Sequence, residues 1–191
     1  VILVLVMTGC VQSQTAGSAV GAGQDKSMME NPVELVNQLS SDISKARMAQ
    51  INILSPHWFK KAESAFFSAQ KDLESGNELA KIRQSVMQSY TYLQKAEEIA
   101  AVSRTTLTDT LEAREMARSA GATKFEKEYR RVEDEFLGLT RAIEKDNLSY
   151  AQKNRSQVVD RYRELEIRAI KEETIGEVRA LIARAEAANT R

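Results

Sequence analysis

Few side chains in this chain could do covalent or metal chemistry. Cys10 is the only cysteine and His57 the only histidine among 191 residues. A single histidine excludes the two-histidine metal sites of helical bundles within one chain. The sequence contains no glycine-rich phosphate loop, and no Ser/His/Asp or Cys/His set can be assembled from it. We therefore predict no enzyme activity, no metal site and no cofactor.

Helix structure accounts better for the other reactive residue types. His57 and Trp58 follow Pro56 at a predicted helix start, where we expect them to make contacts. Acidic residues 133–135 alternate with arginines, which is typical of a solvated helix face with i,i+4 ion pairs. These residues are Glu133, Asp134 and Glu135 with Arg130, Arg131 and Arg141.

The five tyrosines could form a stacking surface for a ligand. At least three of them lie on apolar helix stripes, and this position favours packing in the core. They are Tyr90, Tyr92, Tyr129, Tyr150 and Tyr162.

The setting of Cys10 indicates a specific use for its thiol. Residues 1–7 are apolar, fewer than the roughly 20 residues of a spanning helix but enough for part of a signal-peptide core. Thr8 and Gly9 are the small residues that signal peptidases prefer beside the cleaved bond. Because a polar, glycine-rich tail follows, burial of the thiol in a core is the less favoured alternative. One cysteine also forms no internal disulfide.

The stretch from Met7 to Cys10 resembles the bacterial lipobox, with Met7 at the position usually held by Leu. The resemblance implies that diacylglycerol alkylates the Cys10 thiol and that residues 1–9, a partial signal peptide, are removed. The new amino terminus would then be acylated. By the sorting rule of enterobacterial lipoproteins, Val11 implies export to the outer membrane. We therefore expect a membrane partner through this lipid anchor, with the protein facing the periplasm.

Charge and composition limit the other partners. The chain has 27 basic and 27 acidic residues, so no net basic field attracts phosphates, and we predict no nucleic-acid partner. Hydrophobic residues make up 42% of the chain and aromatic residues only 6%. This alanine-rich composition suits thin seams between helices better than a thick globular core.

The chain divides into a tether and a helical domain. Residues 11–31 are rich in Gly, Ser and Gln without a periodic apolar face, so residues 10–31 are interpreted as a lipidated cysteine with a flexible tether. Asn31 and Pro32 form a helix-start signal. From residue 32 onward apolar residues recur at spacings of three and four, which predicts an all-α fold.

Five helices are expected in the helical domain, residues 32–191. The second covers 56–74 and ends at the Ser75-Gly76-Asn77 signal, the third runs unbroken over 78–119, and the fourth covers 123–145. The apolar stripe of the first is Val36, Leu39, Ile43, Ala46 and Ile53; that of the last includes Val158, Tyr162, Leu165, Ala169, Ile175, Val178, Ile182 and Ala185. Long helices of this kind indicate elongated antiparallel hairpins or a coiled-coil bundle.

The helical pattern repeats. A short helix followed by a long one occurs twice, and the junctions "KARMAQ", "AREMARSAGA" and "ALIARAEAANTR" are similar. We interpret residues 45–112 and 113–179 as two diverged units, with a third unit truncated after them.

A family resemblance rests on the lipobox, the glycine-rich tether and the helical segments "KAESAFFSAQKDLESGN" and "ARSAGATKFEKEYRRVEDEF". Over residues 45–191 the chain is similar to a helical domain of unknown function in bacterial envelope lipoproteins. In that family the domain often precedes an OmpA-like peptidoglycan-binding domain. No OmpA-like segment occurs in this sequence, so peptidoglycan binding is assigned to none of its residues.

Two functions of different class follow from these patterns. One is a structural role, in which an outer-membrane lipoprotein acts as a periplasmic helical spacer or scaffold for envelope protein partners. The alternative is an adaptor that holds a partner helix or a hydrophobic ligand in a groove. The sequence leaves self-association open.

The lipid anchor is tested by replacing its attachment atom. Cys10→Ser is expected to move the protein from the detergent-extracted membrane fraction to the soluble periplasm, because several acyl chains at one residue anchor firmly and the hydroxyl is not alkylated. Fractionation followed by immunoblotting measures the shift. Membrane association that does not change in this variant would contradict the anchor.

Overall fold

The computed structural model describes residues 31–189, and every regular element in that range is helical, so the predicted all-α class is confirmed. Residues 1–30, which hold the predicted leader, Cys10 and nearly all of the tether, lie outside the described residues. The helices are α1 (Pro32–Met48), α2 (Ile51–Leu54), α3 (Pro56–Glu74), α4 (Leu79–Thr106), α5 (Thr108–Ser119), α6 (Glu126–Glu144) and α7 (Leu148–Asn189), with a 3-10 turn at Ala122–Lys124 before α6.

The first helix begins at the predicted signal. The Asn31 side chain accepts a hydrogen bond from the backbone N–H of Val33 at 3.0 Å. This bond satisfies one of the donors that a helix start leaves without a partner. Pro32 occupies the first turn, where its missing N–H has no cost.

Helices α3 and α4 pack closely in opposite directions. The Ser89 hydroxyl donates to the Ala62 carbonyl at 2.7 Å, and nearer the turn the Ser85 hydroxyl donates to the Asp72 carboxylate at 3.1 Å. Ser89 is fully buried, so the hydrogen bond to a backbone carbonyl offsets the cost of desolvating its hydroxyl. Helix α1 lies across both helices of this pair.

A four-residue turn joins α3 to α4. Gly76 has a φ of 65°, in the left-handed region that glycine adopts without the Cβ penalty. Next to it, the Asp72 carboxylate accepts hydrogen bonds from Lys81 at 2.9 Å and from the Asn77 side chain at 2.8 Å. The hydrogen bond from Lys81 is the largest cause that holds the pKa of Asp72 below its usual value.

The predicted unbroken helix over 78–119 is wrong, because the chain bends at Leu107 between α4 and α5. Leu107 has φ −115° and ψ 28°. The Thr108 hydroxyl bonds back to the carbonyl of Arg104, and the Thr106 carbonyl accepts a hydrogen bond from Arg155 of α7. Threonine hydroxyls compete for helix carbonyls in this way, and here a side chain from another helix holds the bend.

Helices α6 and α7 form a second antiparallel pair. Three contacts show that these helices run in opposite directions, because the residue numbers rise along α6 while they fall along α7. The contacts are Glu128–Arg168, Glu133–Tyr162 and Glu135–Arg161. Helix α5 packs along α7 in the same direction as α7. Helix α5 is thus parallel to α7, as α1 is parallel to α4. We call α1–α4 the first unit and α5–α7 the second unit.

The two units share one continuous core. Its largest fully buried apolar residues are Tyr162, Phe59, Phe136, Leu39, Leu54, Ile82 and Leu107. The first 22 or so residues of α7 belong to this core, whereas every residue from 170 to 186 is exposed.

Glu144, at the end of α6, connects the two units. Its carboxylate accepts hydrogen bonds from the Ser55 hydroxyl at 2.8 Å, the His57 backbone N–H at 3.0 Å and the Trp58 backbone N–H at 3.2 Å. The first turn of α3 thus obtains its capping group from the other unit. A negative charge at this position also interacts favourably with the helix dipole.

Phe136 tests the core. Phe136→Ala is expected to lower the free energy of unfolding by about 3–5 kcal/mol, because the ring is fully buried and its removal leaves a cavity. Urea unfolding followed by circular dichroism measures the change. Glu126→Gln, on the exposed side of α6, is the control and should change the value by about 0.5 kcal/mol or less. Equal effects of the two changes would contradict this assignment of the faces.

Candidate functional site

The sequence placed its one positive site prediction, lipidation, at Cys10, which lies outside the described residues. The residues considered there for other chemistry are described, and the structure brings only some of them together. His57 is exposed in the first turn of α3, with its ring edge-on to Trp58 at 5.5 Å between centroids. The expected contact at the helix start is therefore confirmed.

Glu133 was expected on a solvated face, and the structure shows that this expectation is wrong. Its carboxylate accepts two hydrogen bonds from Arg114 of α5, at 2.7 and 2.8 Å, and one from the Tyr162 hydroxyl of α7 at 2.8 Å. The Arg114 side chain is only 12% exposed. One carboxylate therefore joins all three helices of the second unit. Its neighbour Asp134 is exposed as predicted.

The remaining charged residues of this segment lie nearer the surface. Glu135 is half-buried and pairs with Arg161 of α7 and with Arg131 of its own helix. The arginines expected on the wet face, Arg130, Arg131 and Arg141, are all exposed.

Burial and charge keep the tyrosines of this cluster protonated. Desolvation, followed by the Glu133 charge, raises the pKa of Tyr162 far above its usual value and raises that of Tyr129 to about 12. Burial lowers the pKa of Arg114, but the hydrogen bond to Glu133 and the negative charge of that carboxylate raise the pKa of Arg114 overall. The Tyr129 hydroxyl is buried without a hydrogen-bond partner. A protonated phenol and a paired guanidinium hold helices together and supply neither a base nor a nucleophile.

The position of Glu133 in the sequence indicates that its side chain faces the core, although the alternating charges around it favoured a solvated face. Glu133 follows Tyr129 by four residues and precedes Phe136 by three, so it lies on the apolar stripe of α6. The tyrosines behave as predicted: Tyr162 is fully buried, while Tyr90, Tyr92 and Tyr129 pack against the core. Tyr150 is exposed.

A polar cleft lies between α1 and α4. The Asp42 carboxylate accepts hydrogen bonds from Lys45 at 2.9 Å and from the Tyr90 hydroxyl at 3.0 Å. Burial, together with the Asp42 charge, raises the pKa of the neighbouring Glu97. Arg104 closes one end of the cleft and donates to the Ala49 carbonyl. This mixed charged lining does not suit the hydrophobic ligand of the adaptor hypothesis.

The last part of α7 carries the largest departure from the predicted core. Ile175, Val178, Ile182 and Ala185 were expected to pack in a helix seam, and all four are exposed. The prediction fails because no other helix of residues 31–189 reaches this segment. Together with Ile167, Ile170, Thr174 and Leu181 they form what we call the α7 stripe, which covers one side of residues 167–185.

The α7 stripe lies at a repeated position of the fold. Before each hairpin a linker helix, α1 or α5, ends at a residue with positive φ, Gln50 or Gly121. In both units an arginine of the linker helix pairs with a glutamate of the short helix, as Arg47–Glu63 and as Arg114–Glu133. The end of α7 continues a hairpin helix, as α5 follows α4.

The spacing of the α7 stripe matches that of α1. Ile175, Val178, Ile182 and Ala185 follow one another at three, four and three residues, as do the buried residues Val36, Leu39, Ile43 and Ala46 of α1. Helix α1 buries these side chains against α3 and α4, whereas the α7 stripe has no such cover among the described residues.

Neither a metal cluster nor a membrane span is found in the part of the chain that the structure describes. It contains no group of three or more His, Cys, Asp or Glu side chains placed to hold a metal ion. None of its helices is long and apolar enough to cross a membrane. Comparison of the chain with protein-family models, with curated proteins and with solved structures finds no match.

We call Glu133, Arg114, Tyr162 and Tyr129 the Glu133 cluster. Its contribution to stability is tested by a substitution that removes the charge of the Glu133 carboxylate and keeps the shape of the side chain. Glu133→Gln is expected to lower the free energy of unfolding by about 2 kcal/mol, because Arg114 would keep a largely buried charge without its counterion. Urea denaturation measures the difference. The control is Glu128→Gln on the same helix, whose partner Arg168 is 50% exposed, and we expect at most about 1 kcal/mol there. If both variants lose equal stability, the cluster has no special role.

Proposed function

We propose that the protein is a lipid-anchored, non-enzymatic lipoprotein of the bacterial outer membrane that acts as a periplasmic spacer or scaffold for envelope proteins. Cys10 would carry the lipid and residues 11–31 would connect it to the helices. The membership in the envelope-lipoprotein family described above is part of this proposal, and it rests on the lipobox, the tether and the repeated helices.

The length of the helices is the observation that carries the proposal. Helix α7 has 42 residues, which at 1.5 Å per residue is about 63 Å. A compact domain of about 160 residues has a radius of gyration near 15 Å, so its diameter is smaller than this helix is long. The α4–α5 segment passes from the first unit into the second with a single interruption at Leu107.

Charged surfaces along the helices support docking of partners. Exposed charges are spaced over α3, α6 and α7, including Lys60, Arg130, Asp134, Arg141, Lys153 and Arg163. Such faces favour several modest polar contacts with partner proteins over one deep ligand site.

One observation favours the adaptor alternative, in which the protein holds a partner helix. The α7 stripe exposes large apolar side chains, among them Leu181 at 61%, and such patches commonly mark interaction sites. The stripe is a helix face and not a groove between helices, so it accounts for one contact but not for the length of the protein.

Small-angle scattering separates the two functions. For residues 31–191, extrapolated to zero concentration, a spacer is expected to give a radius of gyration well above about 15 Å and a maximum dimension beyond about 70 Å. A compact particle would contradict the spacer and favour the adaptor. The same measurement on Glu128→Gln, a change of one exposed ion pair, serves as the control and should give the same profile.

A further inference from the structure

The α7 stripe has the geometry of a helix-pairing surface. Val178 and Ala185 lie seven residues apart, as do Ile167, Thr174 and Leu181, which is the repeat of the two central positions in a coiled coil. Lys171 occupies the central position one heptad before Val178 and marks the end of the apolar surface on that side. Val178 and Leu181 are its middle pair, exposed by 49% and 61%. Ile175 and Ile182 flank them on one side. From Thr174 to Ala185 the surface is therefore continuous over about three helical turns.

The charges beside the stripe distinguish the possible occupants. On the side opposite Ile175 and Ile182 lie Glu177 and Arg184, also seven residues apart. Within the described residues neither forms an ion pair. When two copies of such a surface pack in antiparallel orientation, the acid of each copy lies beside the base of the other. The surface is therefore complementary to a second copy of itself.

We propose that the α7 stripe is a self-association surface, on which a second copy of this chain packs its own α7 stripe in antiparallel orientation. Val178 of each copy lies against Leu181 of the other, and Thr174 lies against Ala185. In this register Ile175 is next to Ile182 of the second copy. Glu177 pairs with Arg184 of the second copy, and two-fold symmetry forms this ion pair twice.

The flanking charges select this direction of packing. In a parallel coiled coil, a residue that directly precedes one central position faces a residue that directly follows the other central position on the partner helix. Here Glu177 directly precedes Val178, and Ile182 directly follows Leu181. Glu177 would then face Ile182, and its charge would have no partner. The antiparallel pair gives both Glu177 carboxylates a counterion and places both isoleucines against apolar side chains.

The size of the surface predicts a weak, reversible dimer. Residues 174–185 provide about 18 Å of helix, so the buried area falls at or below the lower end of stable protein interfaces. The dimer axis lies beyond the two hairpins, which leaves their charged faces free for other partners.

Sedimentation equilibrium of the full chain carrying Cys10→Ser tests the proposal, since this change removes both the lipid and the thiol. Across a concentration series from about 1 to about 200 micromolar, the mass is expected to rise from that of one 21.4 kDa chain toward twice that value. Hydrogen exchange at residues 171–186 is expected to slow over the same range. A chain that stays monomeric throughout overturns the proposal.

Point variants test the register. Val178→Asp is expected to abolish the dimer, while Val102→Asp, at an equally exposed valine of α4, leaves it intact. Arg184→Glu is expected to raise the dissociation constant roughly tenfold, and adding Glu177→Arg to that variant restores it, because the pair is re-formed with reversed charges. Dimerisation that persists in Val178→Asp, or a double variant no better than Arg184→Glu, overturns the antiparallel pairing.

The dimer and the proposed function fail separately. Sedimentation of the Cys10→Ser chain, compared with the same chain carrying Val178→Asp, reports on the α7 stripe, and a monomer would leave the anchor and the spacer untouched. Loss of the anchor or a compact scattering profile at zero concentration would contradict the proposed function and not the dimer.

Discussion

A pair of antiparallel helices leaves an apolar groove along one side, and burying that groove requires a third helix. In this fold the third helix always precedes the pair in sequence. Helix α1 fills the groove of α3 and α4, and α5 lies along α7 of the second pair. Because α5 is the continuation of α4, the first hairpin supplies the helix that the second one needs. The order of the units and the bend between them both follow from this requirement.

The bend at Leu107 shows how the requirement is met. Local side chains permit the bend, since Thr108 takes up a helix carbonyl, and Arg155 stabilises it by bonding to the Thr106 carbonyl. Arg155, which stabilises the bend, thus belongs to α7, the helix against which α5 packs.

Polar contacts then fix the relation between neighbouring helices. Alanine recurs along the buried seams, as at Ala62, Ala96, Ala100 and Ala117, and it offers no large side chain to interlock with a neighbouring helix. The carboxylates of Glu133 and Glu144 each accept three or more hydrogen bonds from groups on other helices. These contacts are directional, so they define a register that the alanine seams alone would define poorly. Glu172 of α7 pairs with Lys124 of the 3-10 turn, whereas no other helix of the described residues covers the α7 stripe, so its register depends on what covers it.

The sequence by itself determined which segments are helical and where most of them start and stop. The signals at the helix ends act through their own backbone and side-chain chemistry, so they can be recognised from the sequence alone. They are Asn31-Pro32, Ser55-Pro56, Gly76 and Gly121. It also determined most of the core, because spacing of three and four residues places apolar side chains on one side of a helix wherever that helix lies. Cys10 can be singled out from its neighbours alone, since its role depends on the residues beside it.

Only the tertiary structure decided the bend at Leu107, the role of Glu133 and the exposure of the α7 stripe. Each depends on a residue far away in the chain: Arg155 for the bend, Arg114 and Tyr162 for the carboxylate, and a missing neighbour for the stripe. An amphipathic pattern states that a helix has an apolar side but not whether another helix reaches it. For this reason the same spacing describes a buried seam in α1 and an open surface at the end of α7.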